Sequence, residues 1–407
     1  MRRFLIASIA FILVRPVFPG PEIRWADVYK AGPIKLSPDR SFGKDVDWGS
    51  ILFDSNKDIA VADDGSIFVI NSRDHNIHKF DPSGKKVLTF GKRGQGPGDF
   101  EYPASPCILD GKYLVVGEYA LNRRISLFDL NGRFYKLLKA QGAVYDVVAL
   151  TGTKIAYRSQ QSGGQGAGQG KPGYFAVPMT VRVAIKDIET GTEKVILTRT
   201  FSTKFFMTKT NITFNFGMDL AGGIYIARMA DGNLAVGISN SPQVEIYDRD
   251  GKLLRTFAVK TPARPATAEY IALYKKAQIA ALQKEAEKAA PIRAALVEIE
   301  SADTSALFEK TLPYYGDIIS DADGNILFIE MPDKPGQPAR GFSAYSPQGE
   351  LIAESRLDVE AFDINFRFSR LCFSKAGLFG LGSLKGDEDE QPVLFRVVPG
   401  PGKYGAS

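Results

Sequence analysis

Apolar and polar positions alternate with a period of two along much of the chain, in short runs broken by Gly, Asp, Asn and Pro. Residues 57–103 show the unit most completely. Ile59 and Val61 form a first run, which meets a turn at Asp63-Asp64-Gly65. Ser66-Ile67-Phe68-Val69-Ile70 is the second, and a polar loop of Asn71, Ser72, Arg73 and Asp74 follows it. Ile77-His78-Lys79-Phe80 is the third, and a turn at Asp81-Pro82-Ser83-Gly84 leads to the fourth, Lys86-Val87-Leu88-Thr89-Phe90. Period two marks strands, and the punctuating residues supply the backbone conformations that tight turns need. The pattern predicts a four-stranded antiparallel meander. Such a sheet cannot bury both faces alone and must stack on copies of itself.

The copies follow along the chain. The turn before the second strand recurs at Leu109-Asp110-Gly111, Thr151-Gly152-Thr153, Ala230-Asp231-Gly232, Asp321-Ala322-Asp323-Gly324 and Lys375-Ala376-Gly377. The third-strand pattern recurs at Ile125–Asp129, Val183–Asp187 and Val244–Asp248, and more weakly at Phe342–Tyr345 and Leu394–Val397. Six units result, which predicts an all-β fold: a six-bladed β-propeller. The sixth unit shows three strands before Pro399-Gly400-Pro401-Gly402. The short strand Ile34-Lys35-Leu36 is therefore expected to complete the sixth sheet, tying the ends of the ring together. Truncating residues 22–40 is then expected to destabilise the whole ring.

Asn122-Arg123-Arg124-Ile125-Ser126-Leu127-Phe128-Asp129-Leu130-Asn131-Gly132 resembles an NHL-type repeat, in which an Asn-x-Arg-Ile run leads into an apolar strand and an Asp/Asn-Gly turn. Phe90-Gly91, Gly94–Phe100 and Pro103 resemble the blade-to-blade linker of the same group. The resemblance is good over residues 57–138 and loose elsewhere. It implies the propeller fold and leaves function open, because the group includes enzymes, scaffolds and secreted bacterial proteins.

Two stretches break the strand pattern. Residues 158–174 are rich in Gly and Gln and are expected to form a loop inside blade 3. A phosphate cradle would need Ser or Thr after Lys171, where Pro172 stands. Residues 266–310 contain a Gly- and Pro-free span rich in Ala, Lys, Glu and Gln, followed by Pro291, and predict a helical hairpin inserted between blades 4 and 5. Ile271, Tyr274, Ile279 and Leu282 share one arc of its first helix and are expected to pack on the propeller. In a four-stranded meander, links from strand two to strand three leave on the same face as links to the next blade. Both insertions and the Gly91–Pro103 linker therefore decorate one face, where the ligand site is expected.

Composition narrows the class. The 407 residues carry Lys+Arg 51 against Asp+Glu 46, a net charge of +5 with no basic footprint for nucleic acid. Met1-Arg2-Arg3, the 11-residue apolar run Phe4–Val14 and the break at Pro16 to Gly20 read as a signal peptide over 1–20, with 21–407 the propeller. The run is too short for the ~20 residues of a membrane span. Export to a periplasm or the medium is expected. Cys107 and Cys372 fall on first strands of blades 2 and 6, too far apart for a disulfide's roughly 7 Å Cα separation.

The candidate chemistry is sparse. The only histidines are His75 and His78. The resemblance implies that a lyase of this group holds its metal with histidines from several blades, and two cannot supply three. Oxygen ligands from Asp, Glu and Asn would suit Ca2+ or Mg2+, as in gluconolactonase-like propellers. Asp321-Ala322-Asp323-Gly324-Asn325 has the alternating acids of a calcium loop, but Met331 and Pro332 stand where the distal acid belongs. A hairpin turn accounts for it. No cofactor and no catalytic set is therefore expected. The loops of the decorated face offer Arg73, Asp74, His75, Glu118, Tyr119, Asn122, Arg123 and Arg158 as a mixed-charge pocket for a peptide, glycan or small metabolite. The expected function is an exported, non-enzymatic propeller that binds a ligand or protein partner there. The alternative is a metal-dependent hydrolase or lyase, lactonase-like, with oxygen ligands at the channel; a third reading is an envelope partner that docks through the inserted helices.

Overall fold

The structure is a computed structural model and describes residues 24–36, 46–47, 51, 58–119, 123–163, 172–215, 220–286, 290–335, 341–358, 371–375, 377–383 and 392–397. The expected signal peptide, Asn122 and residues 164–171 of the Gly/Gln-rich stretch lie outside the described residues. A short helix, α1 (Trp25–Lys30), and a short strand, β1 (Ile34–Lys35), come first. Blade 1 follows as β2 (Ile59–Val61), β3 (Ile67–Asn71), β4 (Asn76–Phe80) and β5 (Lys86–Phe90). Blade 2 is β6 (Pro103–Leu109), β7 (Tyr113–Glu118), β8 (Arg124–Asp129) and β9 (Phe134–Lys139). Blade 3 is β10 (Ala143–Ala149), β11 (Lys154–Ser162), β12 (Gly173–Asp187), β13 (Glu193–Met207) and the short β14 (Thr213–Phe214). Blade 4 is β15 (Ile224–Arg228), β16 (Leu234–Ile238), β17 (Gln243–Tyr247) and β18 (Leu253–Ala258). Helices α2 (Ala268–Ala286) and α3 (Ala290–Ser301) separate it from blade 5, which is β19 (Asp317–Ser320), β20 (Ile326–Ile329), β21 (Gly341–Tyr345) and β22 (Leu351–Asp358). Blade 6 is β23 (Leu371–Ser374), β24 (Gly377–Ser383) and β25 (Pro392–Val397). Every blade pairs as an antiparallel meander.

The ring closes because each blade is apolar on both faces. Phe68, Ile70 and Ile77 of blade 1 pack with Leu114, Val116 and Phe128 of blade 2. The alternate residues Ile67, Val69 and Phe80 pack with Phe379 and Leu381 of blade 6. The same arrangement joins blades 2 and 3, 3 and 4, 4 and 5, and 5 and 6. This explains why β3 is buried at all five positions and why its sequence shows no polar alternation.

Two devices recur around the rim. A long cation from one blade caps the turn between the third and fourth strands of the next. Lys79 Nζ donates to the Leu130 carbonyl at 2.9 Å, Lys136 Nζ to Ile188 at 2.7 Å and Lys194 Nζ to Asp250 at 3.0 Å, and Arg255 reaches Pro347. The outer strands also carry a bulge near their start. Val87, Tyr135, Leu254 and Ile352 are skipped in the pairing of their strands, as Ile196 is in blade 3. A bulge twists an edge away from the flat geometry that a second chain would pair with.

The loop-rich face carries a raised wall. β12 and β13 stay paired from Lys186↔Glu193 up to Gly173↔Met207. β11 continues to Ser162, so the described ends of the Gly/Gln-rich stretch are paired strand. Pro178 is tolerated because its nitrogen faces the side where β11 has just ended. The helices pack on the top of this hairpin: Tyr270, Tyr274, Ile279, Leu296 and Ile299 bury with Phe206, Phe214 and Met331. Lys204 pairs with Glu309 at 2.9 Å, and Tyr270 donates to the Pro332 carbonyl at 3.1 Å. The arc read from the sequence is thus the buried one, and much of what it meets is the extended hairpin. The neck of the insertion is closed by Ala266 N–H to Lys310 and Leu312 N–H to Arg264.

The N-terminal segment corrects one expectation. β1 does not complete blade 6; it adds in parallel to the outer strand of blade 5, with Ile34 opposite Leu357 and Lys35 opposite Asp358. The physical reason lies in α1. Trp25, Val28 and Tyr29 bury with Ile329 and Phe342 of blade 5 and with Leu371 and Leu378 of blade 6. The helix thus seals the junction of blades 5 and 6 from outside, and β1 is left at the nearest open edge. The Trp25 N–H donates to Asp323 Oδ2 at 2.6 Å and the Tyr29 hydroxyl to Asp321 Oδ2 at 2.7 Å. The N-terminal segment therefore braces the junction of blades 5 and 6, while blades 6 and 1 close the ring through their own apolar faces.

Asp321 makes this latch sensitive to pH. Its Oδ1 accepts the backbone N–H groups of Asp323 and Asn325, and Asn325 Nδ2 donates to Oδ2, so the turn read as a possible calcium loop is held by its own bonds. Burial raises the Asp321 carboxyl from 3.8 to about 6, against the bonds from Asn325 and Tyr29. A carboxyl raised on folding contributes stability that is full below about pH 4 and is lost as pH rises through 6. Acidification from pH 7 to pH 4 should favour the native protein over Asp321→Asn by about 2–3 kcal/mol. Urea denaturation of both proteins across that range checks this; a gap that does not move with pH would refute it.

Candidate ligand-binding site on the loop-rich face

Construction of the site starts with a linker. Gly91 takes a left-handed φ of 83°, and a Cβ there would lie 2.6 Å from the Phe100 ring, so only glycine fits the turn. Phe100 is fully buried between blades 1 and 2. Arg124 then fastens the linker from below. Its guanidinium donates to the carbonyls of Gln95 at 2.8 Å, Gly94 at 3.2 Å and Asp99 at 2.8 Å. Its Nε donates to Glu118 Oε1 at 2.5 Å, and the other Glu118 oxygen accepts the Glu101 N–H at 3.0 Å. Glu118 is fully buried, so this expected ligand contact spends both oxygens on the scaffold. The ion pair sets the position of the next residue, Tyr102.

The other expected residues divide by blade. In blade 1, Asn71 Nδ2 donates to Asp74 Oδ2 at 3.0 Å, and the Arg73 N–H donates to Asn71 Oδ1 at 3.1 Å, closing the loop on itself. His75 and Arg123 each sit directly before a third strand with left-handed φ values of 54° and 49°. Ser105, at 50°, lies in a bulge of β6. Such backbone is costly for residues other than glycine and tends to gather where function is built. Arg123 is exposed; its carbonyl accepts the Ala140 N–H at 2.7 Å. His78 is separate: it lies in β4, bonded to Thr89 at 2.8 Å, with burial lowering its value to about 4.

What the fold brings together is an aromatic chain across three blades. The His75 ring meets the Tyr102 ring edge-on at 5.9 Å. The Tyr119 N–H donates to the Tyr102 carbonyl at 2.9 Å, which sets the two residues side by side. Tyr119 meets Tyr145 edge-on at 4.8 Å, and the Arg158 guanidinium lies over the Tyr145 ring at 5.5 Å. Tyr102 and Tyr119 are 50% and 45% exposed, although each is held by a contact with a half-buried ring. Burial and the hydroxyl bond to Tyr119 push Tyr145 well above the tyrosine range, so it stays neutral. Arg158 Nε and His75 Nδ1 are sheltered from water and have no hydrogen-bond partner among the described residues. Arg158, Tyr119 and His75 were legible as candidates; Tyr102 and Tyr145 were not, because they lie on the linker and on the first strand of blade 3.

Between the first strands of blades 2 and 3, Ser105 Oγ donates to the Tyr145 carbonyl at 3.2 Å and lies 3.3 Å from Asp146 Oδ1. Among the described residues no group of three or more His, Cys, Asp and Glu side chains is placed to hold a metal ion. Cys107 and Cys372 lie on β6 and β23, and no disulfide joins them.

A family model described as a 6-bladed beta-propeller matches residues 49–215, a span that contains the whole site. With the six sheets and their closed packing, this makes the fold a six-bladed β-propeller. None of the curated proteins matches it. Among solved structures it is similar to virginiamycin B lyase from Staphylococcus aureus, at 11% identity over 84% of this chain and 85% of that one, with a TM-score of 0.40. It is also similar to a member of the DUF4221 family from Bacteroides vulgatus, at 12% over 85% and 93%, TM-score 0.48. A third is the calcium-binding protein regucalcin from Agrobacterium tumefaciens, at 9% over 90% and 95%, TM-score 0.40.

Proposed function

We propose that this chain is an exported, non-enzymatic propeller that captures a ligand on its loop-rich face, above blades 1 to 3. One observation carries the reading. Tyr102 and Tyr119 are about half exposed, and each is held by an edge-on ring contact, to His75 and to Tyr145, and by the backbone bond between them. Rings held rigidly in solvent give contact area at little cost in side-chain entropy, which is the economy of a binding surface. Export is supported by the basic, apolar, Pro/Gly order of residues 1–20, and no described helix is long and apolar enough to cross a membrane.

The test is an array of glycans and peptides probed with the mature protein, Tyr119→Ala and Arg158→Gln. The native protein should give defined signals that both variants lose while melting as the native protein does. Equal signals from all three would place binding elsewhere. Mass spectrometry of recovered ligand decides the chemistry. Unchanged mass supports capture alone; cleaved or ring-opened product would support the lactonase-like hydrolase or lyase instead.

A further inference from the structure

The aromatic chain ends in a cation that the described protein does not neutralise. Arg158 leaves β11 half-buried, lies over the Tyr145 ring and enters no ion pair among the described residues. The contrast with Arg124 is informative. Arg124, thirty-four positions earlier, is buried and has a carboxylate and three carbonyls for its donors. A half-buried guanidinium keeps its charge, and a sheltered N–H without an acceptor is costly unless an acceptor arrives. Asp146 is its neighbour across the strand pair, and its Oδ1 faces Ser105. Among the described residues the Arg158 guanidinium is therefore without a paired anion where its geometry would favour one.

Deepening the capture reading, and resting on it, we propose that the ligand is an acidic saccharide: a uronate carboxylate on Arg158, with a sugar ring stacked on Tyr119. The guanidinium, Tyr145 and Tyr119 lie in contact one after another. The negative face of an aromatic ring attracts the C–H face of a sugar, and the hydroxyls on the sugar's rim stay in water. A peptide is the weaker fit. Its side chains need an enclosed apolar pocket or its backbone a bare strand edge, and Tyr102 and Tyr119 instead stand open on loops.

The experiment uses oligomers of galacturonate, glucuronate and mannuronate, each beside its carboxyl-reduced neutral counterpart, titrated calorimetrically into the mature protein. At least one uronate series should bind, its neutral counterpart about tenfold or more weakly, with affinity falling as salt rises. Arg158→Gln should abolish that preference without removing residual binding, and Tyr119→Ala should weaken both forms. Binding of acidic and neutral oligomers alike would overturn the carboxylate assignment and leave the capture site standing. Loss of preference in Arg158→Gln with no effect of Tyr119→Ala would overturn the stacked arrangement. No binding by any uronate overturns the saccharide proposal, and the array above then decides separately whether the face binds anything.

Discussion

Replacing Glu118 with Ala should cost the protein about 3–5 kcal/mol, the loss typical of a buried ion pair broken from one side. The side chain is fully buried, and its removal strands Arg124, whose own side chain is 8% exposed. Three linker carbonyls depend on that guanidinium, and the Glu101 N–H loses its acceptor. Repair by water is hindered because Phe100 fills the space beneath the linker. Glu118→Gln keeps the shape and an acceptor oxygen and should lose less. Equilibrium unfolding in urea measures both. A loss below about 1 kcal/mol for Glu118→Ala would mean that the pair is compensated and does not hold the linker. The two variants also separate fold from site. Glu118→Gln should fold at 25 °C yet hold Tyr102 less firmly, so ligand affinity should fall before stability does.

How far the sequence revealed this molecule follows from where its physics is local. Blade 1 was readable residue by residue because each strand is bounded by its own turn, and turns such as Asp81–Gly84 form within four residues. The helical insertion was readable because α2 needs no distant partner to be helical. The height of the β12–β13 hairpin was not. Its upper part pairs polar with apolar residues, Ala176 with Lys204 and Pro178 with Ser202, and only the register shows that the strands continue. The site followed the same division. Arg158 and Tyr119 were visible as polar or exposed types on loops, whereas Tyr145 belongs to a strand whose alternation reads as core. A bulge between Val144 and Asp146 changes its direction and brings it under Tyr119. Glu118 was misjudged for the opposite reason: a loop carboxylate reads as solvent-facing until Arg124 is seen to enclose it.

Trp25→Ala should destabilise the ring by about 3–5 kcal/mol, the range for deleting a buried aromatic side chain, although it lies outside every blade. The indole is 4% exposed and stands edge-on to Phe373 of blade 6 at 4.8 Å. Four residues on, Tyr29 meets Phe342 of blade 5 edge-on at 5.3 Å. One turn of helix thus joins two blades that are sequence neighbours. In a closed ring the weakest junction limits the whole, because a gap there exposes two apolar faces at once. Loss of Trp25 should therefore act most strongly on β19 to β25. Hydrogen exchange should show protection falling first in those strands and last in β6 to β12, while urea unfolding reports the global loss. Uniform loss of protection around the ring would mean that the junction is not a separate weak point. A Trp25→Ala protein that unfolds within about 1 kcal/mol of native would mean that α1 merely rests on the propeller. Deleting residues 24–31 distinguishes these outcomes, since it also takes the α1 cover off Asp321 and should abolish the pH dependence that burial gives that carboxyl.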